Sequence, residues 1–166
     1  EHERRSARDP ALMQAGAALA ANRIPEAEAA LRERLVRAPT DVAAMRMLAE
    51  LAARLGRHED AEALLERCLE LAPSFHAARQ HYALVLYRAN KPTQALVEIE
   101  RLLRVDPHNP GFRNLHAVVL CRIGDYAPAL AIYDELLREH PTHLKIWMSY
   151  GHALKTVGRQ DDAIAA

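Results

Sequence analysis

Small apolar residues, turn formers and prolines return along this chain at one fixed interval. Alanine stands at Ala27, Ala61, Ala95, Ala129 and Ala163, each 34 residues after the last. A second small series runs Ala15, Ala49, Ala83, Ala117 and Gly151, and prolines fall at Pro39, Pro73, Pro107 and Pro141. Asn22, Gly56, Asn90, Gly124 and Gly158 form a fourth series with the same interval. Alanine is abundant here, so its recurrence alone says little. Proline is scarcer, near 5% of residues in average proteins, and three further coincidences have odds of roughly one in ten thousand. The Gly/Asn series carries a mechanism, because these residues tolerate the positive φ that a helix C-terminus needs at its turn. A turn former once per period and a proline half a period later predict two helices per repeat, the mark of a repeat architecture.

Each period reads as a hairpin of helices. The first runs from Asp9 to Ala21 and from Pro25 to Arg37. In the second, Thr40 caps a helix to about Leu55, Gly56 breaks it, and His58 to Leu71 follows. The third runs from Ser74 to about Ala89 and from Thr93 to Val105, and the fourth from Asn109 to Ile123 and Tyr126 to Glu139. The fifth begins at Thr142 and stops inside its second helix. Pro25, Pro92 and Pro128 fall in the first turns of second helices, where a missing N–H does little harm. No strand pattern competes. The expected organisation is an extension over 1–7, then repeats over 8–41, 42–75, 76–109, 110–143 and a truncated 144–166.

Trp147-x2-Tyr150-Gly151-x2-Leu154, with Ala61-x3-Leu65, Ala95-x3-Ile99, Ala129-x3-Tyr133 and the four spaced prolines, resembles the tetratricopeptide repeat (TPR) signature over about residues 8–166. The resemblance implies an all-α fold, a TPR solenoid of about four and a half 34-residue repeats. It also implies a right-handed superhelix whose first helices line a concave groove. The stretch Ile146-Trp147-Met148-Ser149-Tyr150-Gly151-His152-Ala153-Leu154-Lys155-Thr156-Val157-Gly158-Arg159-Gln160 is similar to the last repeats of bacterial proteins that join a TPR array to a sulfotransferase. That likeness implies a substrate-recruiting segment whose catalytic half follows residue 166. No catalytic residue carries over: the scattered glycines (16, 56, 111, 124, 151, 158) form no phosphate-binding loop after a strand.

By the TPR pattern, the fifth, ninth and thirteenth residues of each first helix face the groove, and spacings of four place them on one face. They are Arg46, Glu50 and Arg54, then Gln80, Leu84 and Arg88, then Asn114, Val118 and Arg122. Arg54, Arg88 and Arg122 recur one repeat apart. An ordinary reading has each arginine solvating a helix end and favouring its dipole. The alternative is a basic ladder for an acidic, unstructured peptide. Glu50 offsets part of the charge. The lysine and asparagines by which TPR proteins hold chaperone tails are absent, since Arg46 with Glu50 and Gln80 with Leu84 stand there.

Charge and chemistry narrow the rest. The 22 basic and 22 acidic residues cancel, giving no bulk attraction for nucleic acid or an anionic membrane. No apolar run approaches the length that crosses a bilayer. Cys68 and Cys121 form no disulfide framework and read as reduced thiols of a cytoplasmic protein, with a periplasmic protein lacking its targeting segment as the nearest rival. The nine histidines hold no i, i+4 pair, so surface and turn roles are expected of them, with no metal or cofactor. Trp147, Tyr82, Tyr133 and Tyr150 are expected as core. An uncapped last repeat would leave Ala153, Leu154, Val157, Ala163 and Ile164 open to self-association or fraying. The chain should be an interaction scaffold, not an enzyme. Calorimetric titration with an adenosine-phosphosulfate donor is expected to give no saturable heat, and micromolar binding would refute that.

Overall fold

A computed structural model describes residues 9–158; Ala163 and Ile164, like the extension over 1–7, lie outside the described residues. Every described element is a helix: α1 (Pro10–Ala20), α2 (Ile24–Arg37), α3 (Val42–Arg54), α4 (His58–Leu71), α5 (His76–Arg88), α6 (Pro92–Val105), α7 (Pro110–Ile123), α8 (Tyr126–Glu139) and α9 (Leu144–Thr156). The chain divides into two compact units, Glu1–Ala89 and Asn90–Ala166. The first unit holds α1 to α5 and the second α6 to α9, so the division falls at the turn of the third repeat.

The turn series does what its chemistry predicts. Asn22, Gly56, Asn90, Gly124 and Gly158 all have positive φ, between 57° and 90°. The first four reverse the chain after a first helix, and all five hold a conformation that Cβ-bearing residues other than Asn and Asp avoid. The prolines work in the other turn. Asp41 N–H donates to the Ala38 carbonyl, Phe75 to Ala72, Asn109 to Asp106 and His143 to His140. Pro39, Pro73, Pro107 and Pro141 therefore sit second in a four-residue turn, where a fixed φ suits them.

Some boundaries differ from expectation for local reasons. Asp41, not Thr40, caps α3, its carboxylate accepting from the Ala43 and Ala44 N–H groups. A carboxylate at this site also gains from the helix dipole and from Arg34 Nε, which donates to it at 2.9 Å. Helix α5 begins at His76 with no side-chain cap, two residues after Ser74. Helix α9 begins at Leu144 rather than Thr142. Asn109, the expected start of the fourth repeat's first helix, is its cap, with α7 beginning at Pro110.

In the first unit, Ala49, Ala61, Leu65 and Cys68 lie fully buried in one apolar cluster. In the second, Ala117, Ala129 and Leu136 are fully buried and Tyr133 nearly so, again in one cluster. Tyr133 is core, as expected, whereas Tyr82, Trp147 and Tyr150 are half-buried and keep polar tips engaged. Tyr82 Oη donates to Glu66 at 2.7 Å and Tyr150 Oη to Asp134 at 2.8 Å, the same pair two repeats apart. The expectation for the last repeat is corrected in part. Ala153 and Leu154 are buried on the inner face of α9, while Leu144 at 72% and Met148 at 68% are exposed on it, with Val157 also exposed.

Two substitutions separate turn from core. Gly124 has φ of 90° and no atom within 4 Å of a built Cβ, so Gly124→Ala should cost backbone strain alone, about 1–2 kcal/mol. Ala61→Leu should cost about 1–3 kcal/mol by overpacking. Urea denaturation measures both, and a neutral Ala61→Leu would mean the alanine site is loose.

Candidate peptide-binding face

Helix α3 places Arg46, Glu50 and Arg54 one turn apart, and their charges are largely satisfied by one another. Glu50 accepts from Arg54 at 2.6 Å and lies 3.8 Å from Arg46. Arg54 also donates to the Leu19 carbonyl at 3.3 Å, near the end of α1. It therefore ties the second repeat to the first. In the second unit, Arg122 donates to Asn90 Oδ1 at 3.2 Å, again reaching a turn of the preceding repeat. Arg88 differs: it holds no ion pair among the described residues. Three arginines alike in sequence register thus divide into two that brace a turn and one left uncommitted.

The first unit gathers four of the expected residues in one place. Glu50, Arg54, Leu84 and Arg88 line a pocket of about 200 Å3 with Ala49, Ala53, Leu65, Val85 and His81. Its floor is aliphatic and its rim cationic. Arg46 acts on it electrostatically through His81, while Gln80, half-buried on α5, is not among the lining residues. In the second unit, Asn114 and Val118 are half-buried on α7, Arg122 is exposed, and Asn114 Oδ1 is covered yet has no hydrogen-bond partner.

His81 is the residue that the spacing argument misses. It is half-buried, its Nδ1 is covered without a partner, and burial pushes its pKa below the ordinary value. Arg46, Arg88 and Arg54 push it further down, and Glu50 opposes them. The four-residue row 80–84–88 tracks only one edge of the helix face. A true period of 3.6 makes 81, 85 and 88 share that face, and this wider stripe would have found it.

Elsewhere in the first unit, a hollow of about 300 Å3 is lined by Glu28, Arg32, Arg57, Asp60 and apolar neighbours. Its charges are matched internally, Glu28 pairing with Arg32 at 2.7 Å and Arg57 at 2.9 Å. Among the described residues, no three His, Cys, Asp or Glu side chains come together as a metal would need, and no helix is long and apolar enough to cross a membrane. Cys68 and Cys121 are free thiols, and burial pushes the Cys68 pKa up to about 11.

The different commitments of the arginines are measurable. Arg54→Ala should lower unfolding stability by up to about 1 kcal/mol, the range of exposed charge-assisted contacts, and Arg88→Ala should change it by less than about 0.5 kcal/mol. Equal losses in urea denaturation would deny the distinction.

Comparison with known proteins places this geometry in a family. Residues 4–141 match the family described as Cytochrome c-type biogenesis protein H TPR domain. No curated protein sequence matches. Among solved structures, a tetratricopeptide repeat protein from Parabacteroides merdae superposes with a TM-score of 0.86 at 19% identity, covering 98% of this chain and 65% of that one. YrrB, described as a TPR protein with an unusual peptide-binding site, gives a TM-score of 0.73 at 16% identity over 98% of this chain and 84% of its own. TTC0263, a thermophilic TPR protein of Thermus thermophilus, gives 0.77 at 21% identity over 93% and 85%. These likenesses show the all-α TPR solenoid class. None of them supports the sulfotransferase resemblance of residues 146–160, which lie beyond the matched family region. The chain belongs to the Cytochrome c-type biogenesis protein H TPR domain family.

Proposed function

We propose that this chain is a protein-interaction scaffold that holds an extended polypeptide segment against its first helices, and that the segment carries carboxylates. One observation carries the reading: the pocket between α3 and α5, with an aliphatic floor and the uncommitted Arg88 on its rim. Guanidinium groups grip carboxylates bidentately, and an aliphatic floor takes the neighbouring side chain. The likeness to YrrB, a TPR protein with a peptide-binding site, supports a peptide as ligand. The family description supports a polypeptide engaged in cytochrome c-type biogenesis as the partner. That family is periplasmic-facing, which favours the periplasm over the expected cytoplasm. Self-association is the second interaction we propose, through the exposed Leu144 and Met148 of α9. No observation favours a sulfotransferase-recruiting role.

Groove cations exposed to water contribute on the order of 0.2–1 kcal/mol each, so affinity should be weak and fall with salt. The test is anisotropy of a fluorescent Glu-rich peptide library at low salt with the wild-type chain, Arg88→Ala and the triple Arg54→Ala, Arg88→Ala, Arg122→Ala variant. Arg88→Ala should weaken binding by about twofold to fivefold, and the triple variant should lose little more. Unchanged affinity in the triple variant, with helicity intact by circular dichroism, would reduce all three arginines to helix-end solvation.

A further inference from the structure

The pocket between α3 and α5 opens where the repeat changes two of its side chains. One repeat earlier the corresponding corner is closed, because Leu19 is buried there in a cluster with Ala18, Ala27 and Leu51. Ala53 and Val85 stand 34 residues after Leu19 and Leu51. Leucine has thus become alanine on α3 and valine on α5. The alanine of the second helix is kept, as Ala27 in one corner and Ala61 in the other. The close helix crossing that this alanine permits therefore stays, while the side chains that would fill the corner are shorter. Val85 belongs to the first unit's apolar cluster and Ala53 packs against it, and the room beside them is the pocket of about 200 Å3. The same register carries Leu19 and Tyr87 in the neighbouring repeats, so nothing in the repeat itself requires a small residue at Ala53.

We propose that this corner is a subsite for one large apolar side chain of the bound segment, of leucine to phenylalanine size, and that Ala53 is the residue that opens it. The proposal rests on the peptide-binding reading above and adds to it the size of the ligand's side chain and the residue that selects it. Volume argues for the size. An aliphatic cavity of about 150 Å3 takes up a benzene ring, so a pocket of about 200 Å3 has room for a phenyl ring or a leucine side chain. The lining argues for the class. Ala49, Ala53, Leu65, Leu84 and Val85 present carbon to the pocket. His81 is the polar group in its wall, and desolvation with Arg46, Arg88 and Arg54, against Glu50, holds its pKa below the ordinary value, so the ring is neutral at neutral pH. A charged or strongly polar side chain entering the corner would lose water and gain no charged partner at the floor. The guanidinium groups stay at the rim, Arg54 held by Glu50 and the Leu19 carbonyl, Arg88 uncommitted. A carboxylate on the neighbouring residue of the segment meets them there. That charge complementarity favours a separate acidic peptide as the occupant over a purely apolar surface.

The experiment uses the full chain and fluorescein-labelled peptides Gly-Glu-X-Glu-Gly, with X as glycine, alanine, leucine or phenylalanine, at constant low ionic strength. A fully buried methylene strengthens binding about fourfold. The pocket is open on one side and buries only part of its guest, so leucine or phenylalanine at X should bind about tenfold more tightly than glycine, with alanine between. Ala53→Leu restores the side chain that Leu19 supplies one repeat earlier and closes the corner without touching an arginine. It should abolish the preference, leaving all four peptides within about twofold of the wild-type affinity for the glycine peptide. Its urea midpoint should hold or rise, and if this variant does not fold, Val85→Leu narrows the same corner from α5 and is read in the same way. A wild-type chain that binds the glycine and leucine peptides equally, or a preference that survives both substitutions, overturns the subsite while leaving the peptide-binding reading intact. No binding of any of the four peptides overturns both. Self-association in sedimentation that Ala53→Leu abolishes would make a second copy of this chain the occupant and overturn the choice of a separate peptide.

Discussion

Two helices of one repeat must approach closely where they cross, and that demand fixes much of the rest. The interaxial distance of packed helices depends on the side chains at the contact. Here those positions carry alanine: Ala49 with Ala61 and Ala117 with Ala129 are fully buried, each pair within one cluster. Alanine contributes little apolar area, so larger residues a turn away must supply the burial. Leu65 and Cys68 do so in the first unit, Tyr133 and Leu136 in the second. Close approach also shortens the link between helices, and a short link forces a sharp reversal. The left-handed residues Asn22, Gly56, Asn90, Gly124 and Gly158 follow from that geometry.

This chain of causes explains which parts of the structure are legible from sequence. A positive φ is a local requirement met by few residue types, so the turns announce themselves. A buried crossing that admits only a small side chain is nearly as local. Helix starts are less so, because several residues compete to cap. Thr40 and Asp41 both qualify, and Arg34 tips the choice by pairing with the carboxylate at 2.9 Å. Arg34 stands one repeat before Cys68, at a register where the later repeats carry apolar residues, so the period itself conceals the interaction. The division into units between Ala89 and Asn90 has no composition signal, since Asn90 is one more member of the turn series.

The candidate face is legible in outline and not in detail. Spacing places Glu50, Arg54, Leu84 and Arg88 on the face, and all four line the pocket. What spacing cannot tell is which arginine is already occupied. Arg54 and Arg88 have the same register. Only Arg54 has a carboxylate four residues before it, Glu50, and donates to a backbone carbonyl of the preceding repeat, at Leu19. A guanidinium with two partners has had its rotamers fixed during folding, whereas Arg88 retains its freedom. Lost side-chain freedom for such a residue costs up to about 2 kcal/mol when it is immobilised. Contact with Arg54 therefore costs a ligand less ordering but yields less new charge interaction, and contact with Arg88 is the reverse.

Charge arithmetic at the pocket makes the same point about selectivity. Arg46, Arg54 and Arg88 against Glu50 leave a surplus of positive charge while His81 is neutral, and protonation of the ring enlarges it. A surplus of this size over a pocket with an aliphatic floor can be neutralised by a few carboxylates but not by a densely acidic chain without self-repulsion in the ligand. The floor adds a requirement that charge alone does not impose, because a hydrated carboxylate placed on Ala49, Ala53 and Leu65 would lose water and gain no partner. The ligand that satisfies both terms alternates: an acidic group at the rim, an apolar group beneath it. Such alternation presents its carboxylates on one side and its apolar groups on the other. On the proposed reading, the first-helix face of this unit would distinguish ligands by the order of their residues as much as by their charge.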